Sequence, residues 1–343
     1  MLIPPKLQPG DRIAVLSPAF AAPAAGPEVH EQAMRRLREV TGLVPVEYQT
    51  TRQLDATPAA RAADVNAALA DPGIRAIIAT IGGSDQILVT PHLDPALAVA
   101  DPKPFLGYSD NTNILNWLWR HGVAGFYGGS TQVHLGPGPA VDDVHLRALR
   151  AALLDGGEVE ITEPGESEDI GRHWDDPAAL TEYGDREPTE RWTWAGPSAA
   201  VTGRTWGGCL EVVNQLALAD RMPSNDELAG AILMLETSER LTPAHGVAEQ
   251  LRAYGERGLL GAVAGVLFAR PAVSSFDVLP SAHEKAALRA AQRDVVLQTV
   301  ERYNPDAVVC VGVPFGHTRP QWILPYGGEV TLDGAARKVT GVF

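Results

Sequence analysis

Only two cysteines, Cys209 and Cys310, occur in 343 residues, which leaves neither a disulfide framework nor a cysteine-based zinc pattern. Apolar runs are short; none approaches the ~20 residues needed to cross a membrane. The opening Met1-Leu2-Ile3-Pro4-Pro5-Lys6 lacks the charged and apolar regions of a signal peptide. A cytoplasmic location is the default expectation. Basic residues are scarce, 28 against 42 acidic ones, and the net charge of −14 disfavours a nucleic-acid polymer as the main partner. No G-x-x-x-x-G-K-[ST] loop is present, and the pairs Gly82-Gly83 and Gly207-Gly208 are too short to cradle a phosphate. His92, His121, His134 and His145 have no metal-ligand spacing with carboxylates. The sequence therefore calls for neither a metal nor a cofactor.

What remains is the composition of a folded globular chain, 45% hydrophobic and 20% charged, long enough for two domains with substantial cores. Residues 11–17 form a short strand candidate, followed by a Pro/Ala-rich loop and an amphipathic helix at about 28–41. A second helix at 57–70 stops at Asp71-Pro72-Gly73, and Ile74 to Ile81 reads as a buried parallel strand ending in Gly82-Gly83-Ser84-Asp85. A strand at 125–129 and a helix at about 142–155 complete this half. Strands alternating with helices across short connections indicate a doubly wound α/β layer.

From about 160 to 200 the texture changes to Glu, Asp, Pro and Trp, including His173-Trp174-Asp175-Asp176-Pro177 and Arg191-Trp192-Thr193-Trp194. This stretch reads as a linker plus a substrate-facing excursion. Beyond it, strands are expected at 231–235, 260–268 and 307–311, with helices from Pro243 and at about 283–301. The second half reads as a smaller α+β domain. The expected division is 1–165 and 166–343.

Three apolar runs end in side chains that together suit acyl transfer. Pro104-Phe105-Leu106-Gly107-Tyr108 delivers Ser109 on an abrupt strand-to-helix turn. The amides that open a helix have no intrahelical partner and carry its positive dipole end, so they suit an oxyanion beside that hydroxyl. Asn111 stands where G-x-S-x-G has its second glycine, and the same stretch also fits a plain helix cap by Ser109 or Asp110. Ile232-Leu233-Met234-Leu235 delivers Glu236, and Val308 to Gly316 delivers His317. A serine hydroxyl needs an imidazole to take its proton, and the imidazole needs a carboxylate to fix its tautomer. Open α/β sheets carry their chemistry at strand carboxyl ends, and Ser…Glu…His is a known chain order for a triad. Glu236 as a solvated strand end and His317 as a turn residue remain the alternatives.

The chain resembles the LD-carboxypeptidase family of serine peptidases, which includes the microcin C immunity peptidases. The resemblance runs through Pro4-Pro5-Lys6-Leu7-Gln8-Pro9-Gly10-Asp11, Ile81-Gly82-Gly83, Gly107-Tyr108-Ser109-Asp110, Trp206-Gly207-Gly208, Leu235-Glu236 and Phe315-Gly316-His317. It implies Ser109 as nucleophile, His317 as general base, Glu236 as its orienting carboxylate, and an oxyanion hole from the amides of Gly83 and Asp110. It also implies a flavodoxin-like N-terminal domain, a smaller C-terminal domain with a β-barrel-like core, and a homodimer. Within the family, one branch trims terminal D-alanine from cytoplasmic murein tetrapeptides; the other cleaves the amide of peptidyl- or aminoacyl-nucleotide conjugates. The Trp-rich excursion resembles the second branch, in which Trp174 would stack on the nucleobase and Arg240 would contact substrate. Packing of the excursion onto its domain is the alternative role for Trp174, and a solvated charge the alternative for Arg240. Cys209 stands where the family often has Asn, and a thiol offers only a weak donor to substrate there. A catalytically silent small-ligand binder is the competing class, against which the intact Ser109, Glu236 and His317 argue.

Overall fold

The computed structural model describes residues 1–343. Its first sheet is built from β1 (Arg12–Leu16), β2 (Val44–Glu47), β3 (Ile74–Ala79), β4 (Phe105–Gly107) and β5 (Gly125–Tyr127), all parallel in the order β2-β1-β3-β4-β5. This is the flavodoxin-like order. The central strands are apolar on both faces because helices cover both sides; five of the six residues of β3 are buried. The covering helices are well terminated. Thr57 Oγ1 accepts from the Ala60 amide at 3.2 Å to open the helix Pro58–Ala70, and Gly42 closes the helix Pro27–Thr41 at φ +74°. β2 escapes sequence reading because Pro45 sits in it, which an edge strand tolerates.

The chain then contributes β6 (Glu158–Ile161), a two-stranded ribbon of β7 (Glu166–Ser167) and β8 (Glu187–Pro188), and β9 (Thr193–Ala195). β10 (Ala200–Cys209), β11 (Ile232–Glu236), β12 (Gly265–Ala269) and β13 (Val308–Val313) follow as a parallel set. Helices Leu210–Leu218, Ala244–Glu256 and Ala282–Tyr303 connect them, the last opened by a reciprocal cap between Ser281 and Glu284. β14 (Leu324–Tyr326), β15 (Glu329–Asp333) and β16 (Lys338–Val342) end the chain. The second sheet runs β6-β16-β15-β10-β11-β12-β13-β9, parallel in the middle and antiparallel towards both edges. The core expected to be barrel-like is represented by this open mixed ladder. The strand expected at 260–268 is a short helix, Leu259–Ala262, followed by β12; short apolar runs have no period long enough to separate the two.

The halves interlock. β14, from the end of the chain, pairs antiparallel with β5 in the first sheet. One cluster of 76 buried apolar residues runs through both sheets, so their relative placement is fixed by a continuous core. Trp206 is buried at this junction and donates its indole N–H to Asn116 Oδ1 at 3.1 Å. The Trp-rich excursion divides in role: Trp194 lies opposite Cys310 in the β9–β13 pair and, with Trp192, packs against the core.

Candidate active site

The carboxyl ends of β1, β3 and β4 and the segments following β11 and β13 converge on one cleft of about 680 Å³. Its lining includes Gly82, Gly83, Ser109, Trp174, Arg240 and His317. Parallel strands deliver side chains there because every loop after a strand emerges on the same edge of the sheet.

Ser109 sits between β4 and the helix Thr112–Arg120 at φ +61°, a left-handed conformation that a residue with a Cβ adopts only when its surroundings impose it. Three hydrogen bonds around the turn hold it. Its amide donates to Tyr127 Oη at 3.2 Å, its carbonyl accepts from Thr112 Oγ1 at 2.6 Å, and Asn111 Nδ2 donates to the Tyr108 carbonyl at 3.0 Å. The glycine pair after β3 lies against this turn. A Cβ on Gly82 would fall 2.8 Å from the Ser109 Cβ, and one on Gly83 would fall 2.8 Å from the Ala19 Cβ. The Gly83 N–H has no partner within the protein, and Gly83 lines the cleft. Asp110 is buried. Its carboxylate takes the Gln86 amide and the Asn113 side-chain amide, each at 3.0 Å, and burial raises its pKa to about 6.

Glu236 is fully buried at the end of β11 and does not line the cleft. Its Oε2 lies 2.6 Å from His317 Nδ1, and its Oε1 accepts from Tyr127 Oη at 2.6 Å. The phenol thus links the Ser109 amide to the Glu236 carboxylate. Burial, with the Glu236 charge adding to it, pushes the Tyr127 pKa well up, which keeps the group a neutral donor. On its other side Glu236 is pressed by the chain just before His317: a Cβ on Gly316 would fall 2.7 Å from Oε2 and 2.8 Å from the Glu236 Cβ. Gly316→Ala is therefore expected to displace the carboxylate from the imidazole. A fall of about 10²-fold in kcat would be the signature, because misplacing catalytic groups by about 1 Å costs that much, and the thermal midpoint should fall as well because overpacking a buried site costs about 1–3 kcal/mol. A variant with unaltered kinetics would show that the close approach is dispensable.

His317 is 8% exposed at its side chain and stands edge-on to Tyr108, ring centroids 4.9 Å apart. Its Nε2 makes no hydrogen bond to Ser109; it faces Glu239 Oε2 at 3.0 Å. Burial disfavours the imidazolium, but the carboxylates of Glu236 and Glu239 outweigh it and raise the His317 pKa to about 10. The same contact holds Glu239 down at about 2.

The sequence-predicted residues separate into groups. Ser109, Gly83, Trp174, Arg240 and His317 line the cleft, and Glu236 lies directly behind His317. Cys209 is buried outside the lining. Its Sγ donates to Glu211 Oε2 at 3.1 Å and its amide donates to Thr112 Oγ1 at 3.2 Å, so its polar groups are spent within the protein. Tyr127 and Glu239 escaped sequence reading. Tyr127 ends the strand next to β4, a position from which it was findable, whereas Glu239 lies in a charged turn with no distinguishing spacing. A hydroxyl, a carboxylate-backed imidazole and a free amide facing one cleft form a set capable of acyl transfer once Nε2 is available.

Residues 13–128 match the LD-carboxypeptidase N-terminal domain, and residues 202–332 match the LD-carboxypeptidase C-terminal domain. The chain belongs to the LD-carboxypeptidase family. A Vibrio cholerae member that carries a provisional carboxypeptidase name is 27% identical over 97% of this chain and 95% of its own length. The microcin C7 self-immunity protein MccF of Escherichia coli is 28% identical over 52% of each chain. The solved structure of MccF without ligand superposes with a TM-score of 0.85 at 22% identity, covering all of this chain and 99% of that one. Further MccF structures hold aspartyl sulfamoyl adenosine or glutamyl sulfamoyl guanosine. These likenesses show a mixed α/β fold and, with the family, a peptidase or amide hydrolase of the serine class. No helix is long and apolar enough to cross a membrane.

Proposed function

We propose that this family member cleaves the amide joining an aminoacyl or peptidyl group to a modified nucleotide, through an acyl-enzyme on Ser109. His317 takes the Ser109 proton and returns it to the leaving amine, while Glu236 fixes the imidazole tautomer and balances the imidazolium. The amides of Gly83 and Asp110 receive the tetrahedral oxyanion; each such donor contributes about 10²–10³ in rate. Trp174 stacks on the nucleobase, worth about 1–3 kcal/mol, and Arg240 meets the acyl portion. Cys209 has no substrate contact in this reading. Residues 1–165 and 166–343 act as two units with the cleft between them, in a cytoplasmic homodimer that needs no cofactor.

The observation that carries the reading is the strained Ser109 and the Glu236-backed His317 opening onto the same cleft as Trp174. A second reading, release of terminal D-alanine from murein tetrapeptides, is favoured by the name of the family. Hydrolysis of aspartyl sulfamoyl adenosine and of a murein tetrapeptide by wild type and Trp174→Ala distinguishes them. The expected result is cleavage of the nucleotide conjugate alone, with KM raised about ten-fold or more in Trp174→Ala, the equivalent of the stacking energy. Cleavage of the tetrapeptide alone, indifferent to Trp174, would assign the protein to the second reading.

A further inference from the structure

One turn of π-helix, Thr131–Leu135, contributes to the cleft floor between Trp174 and the triad. Its start is fixed to the end of β3: the Gln132 amide donates to the Thr80 carbonyl at 3.0 Å, and Ser130 Oγ accepts from the Val133 amide at 3.2 Å. Gln132 lies on the Trp174 side, since a Cβ on Gly26 would meet Gln132 Nε2 at 2.6 Å and the Trp174 Cβ at 2.8 Å. His134 lies on the triad side. Its ring centroid is 5.4 Å from that of Tyr108, which is 4.9 Å from that of His317. The turn therefore runs beneath whatever joins a ring stacked on Trp174 to an acyl group at Ser109.

His134 is only 2% exposed, yet it lines the cleft. Its ring stacks on that of His145 with centroids 4.7 Å apart, and His145 is itself fixed through Nδ1, 3.0 Å from the Gln321 carbonyl. Nδ1 of His134 is buried without a partner, which leaves Nε2, engaged by no protein group, as the nitrogen that meets the cleft. A buried N–H with no acceptor is the costlier orphan, so the ring proton belongs on Nε2. Burial, reinforced by His145 and Arg319, holds the His134 pKa well below the ordinary imidazole range, so the ring is a neutral donor. Arg319 is buried and lines the same cleft, and its partners Glu168 and Asp142 stand at the long distances of 3.4 and 3.5 Å. The carbonyls of Leu135, Gly136, Pro137 and Gly138 are all taken by Arg36. What this part of the floor offers a ligand is donors.

We propose that His134 Nε2–H and the Arg319 guanidinium form a subsite for the tetrahedral oxygens, phosphoryl or sulfamoyl, that link the nucleoside to the scissile amide. The proposal rests on the nucleotide-conjugate reading above and deepens it by naming the group that the floor selects. A stacking face accepts any flat ring, so Trp174 cannot by itself tell a nucleotide from a nucleoside. A buried donor can. A ligand that places an oxygen acceptor over His134 satisfies Nε2–H, whereas one that places carbon there leaves that donor dry and unpaired. The guanidinium adds charge, which makes the contact stronger for an anionic linker than for a neutral one. Both groups bind the linker; neither takes part in the proton transfers at Ser109.

The test uses the full-length wild-type protein and two ligands without a scissile amide, adenosine monophosphate and adenosine, with affinities read by calorimetry. The monophosphate is expected to bind about ten-fold or more tightly, the order of one charge-assisted hydrogen bond. His134→Phe keeps a ring on His145 and removes the donor; it should bring the two affinities to within about two-fold of each other by weakening the monophosphate alone. His134→Gln returns an N–H and should restore most of the preference. In the wild-type protein, the NMR signal of His134 Nε2, assigned with His134→Gln, should move on adding the monophosphate and stay in place with adenosine. Equal affinities in wild type, a preference that survives His134→Phe, or an Nε2 signal indifferent to the monophosphate would overturn the proposal; the first and last of these need no folded variant. If the preference runs through His134 but wild type cleaves no nucleotide conjugate, the hydrolase reading fails and the subsite stands. Cleavage of the conjugate with equal affinities for the two ligands would leave that reading in place and remove the subsite.

Discussion

Ser109→Ala is expected to lower turnover of the nucleotide conjugate by about 10⁴-fold or more while leaving the thermal midpoint within a degree or two. The size follows from the cooperative nature of such sites: once the nucleophile is gone, the imidazole and the oxyanion donors have no reaction to assist. The fold should tolerate the change because Ser109 is held by its backbone, through Tyr127 and Thr112, and its side chain caps nothing. Removing the hydroxyl also leaves the strained φ of +61° in place, so the turn keeps its shape. A phosphonate directed at activated serines should label wild type and not the variant. Retained hydrolysis in Ser109→Ala would sink the acyl-enzyme mechanism outright, and a merely unfolded variant would declare itself in the thermal scan.

The second large effect is expected at a site with no chemistry of its own. Asp169, 1% exposed, pairs with Arg270 at 2.8 Å and Arg289 at 2.7 Å, both nearly buried. Glu187 and Glu190 complete the cluster: Glu187 meets Arg270, Arg289 and Lys285, and Glu190 meets Arg270 and Arg289. Three of these carboxylates belong to the excursion that carries Trp174, whereas Arg270 follows β12 and Arg289 lies in the helix Ala282–Tyr303. The cluster is thus the clamp that holds the Trp174-bearing wall of the cleft against the second sheet. Asp169→Ala would strand two buried guanidiniums with only the more exposed glutamates for balance. Breaking a buried pair by removing one partner costs about 3–5 kcal/mol, and we expect the lower end here because Glu187 and Glu190 remain. A chemical denaturation curve would read this directly, and KM for the nucleotide conjugate should rise because Trp174 loses its fixed position. Unchanged stability would mean that the excursion is held by its ribbon and apolar contacts alone.

The same carboxylate gives the protein a definite acid response. Burial alone would raise the Asp169 pKa, but Arg289 and Arg270 overcome it and hold the group below the ordinary carboxylate range. A carboxyl depressed in the folded state contributes stability that is fully present above its unfolded pKa and is lost as pH falls through the folded one. Wild type should therefore lose stability progressively below about pH 4. Asp169→Ala, already lacking the contribution, should show a shallower acid limb.

Much of the site was legible because its members end apolar runs. Ser109, Glu236 and His317 each follow a buried strand, and the rule that parallel strands place chemistry at their carboxyl ends needs only local pattern to apply. The α/β alternation of the first half was legible for the same reason: period and length of the apolar runs are properties of the sequence itself. The excursion was less so. Three tryptophans marked it as more than a linker, but Trp192 and Trp194 pack on the core while Trp174 alone lines the cleft, a division that depends on which edge β9 pairs with.

Sequence by itself determined which residue types could do chemistry here, and in what order they lie along the chain. It could not decide which of them meet, because Ser109 and His317 are joined by no local rule and come together only through two sheets that exchange β14 across a shared core. Tertiary structure alone decided that Cys209 is turned inward to Glu211, that Tyr127 ties the serine turn to Glu236, and that Glu239 occupies the free nitrogen of His317. The physical reason is the same in each case. Hydrophobic periodicity sets where a strand runs and which face it buries, whereas the partners of a polar group are set by distance in space, which only the packed chain defines.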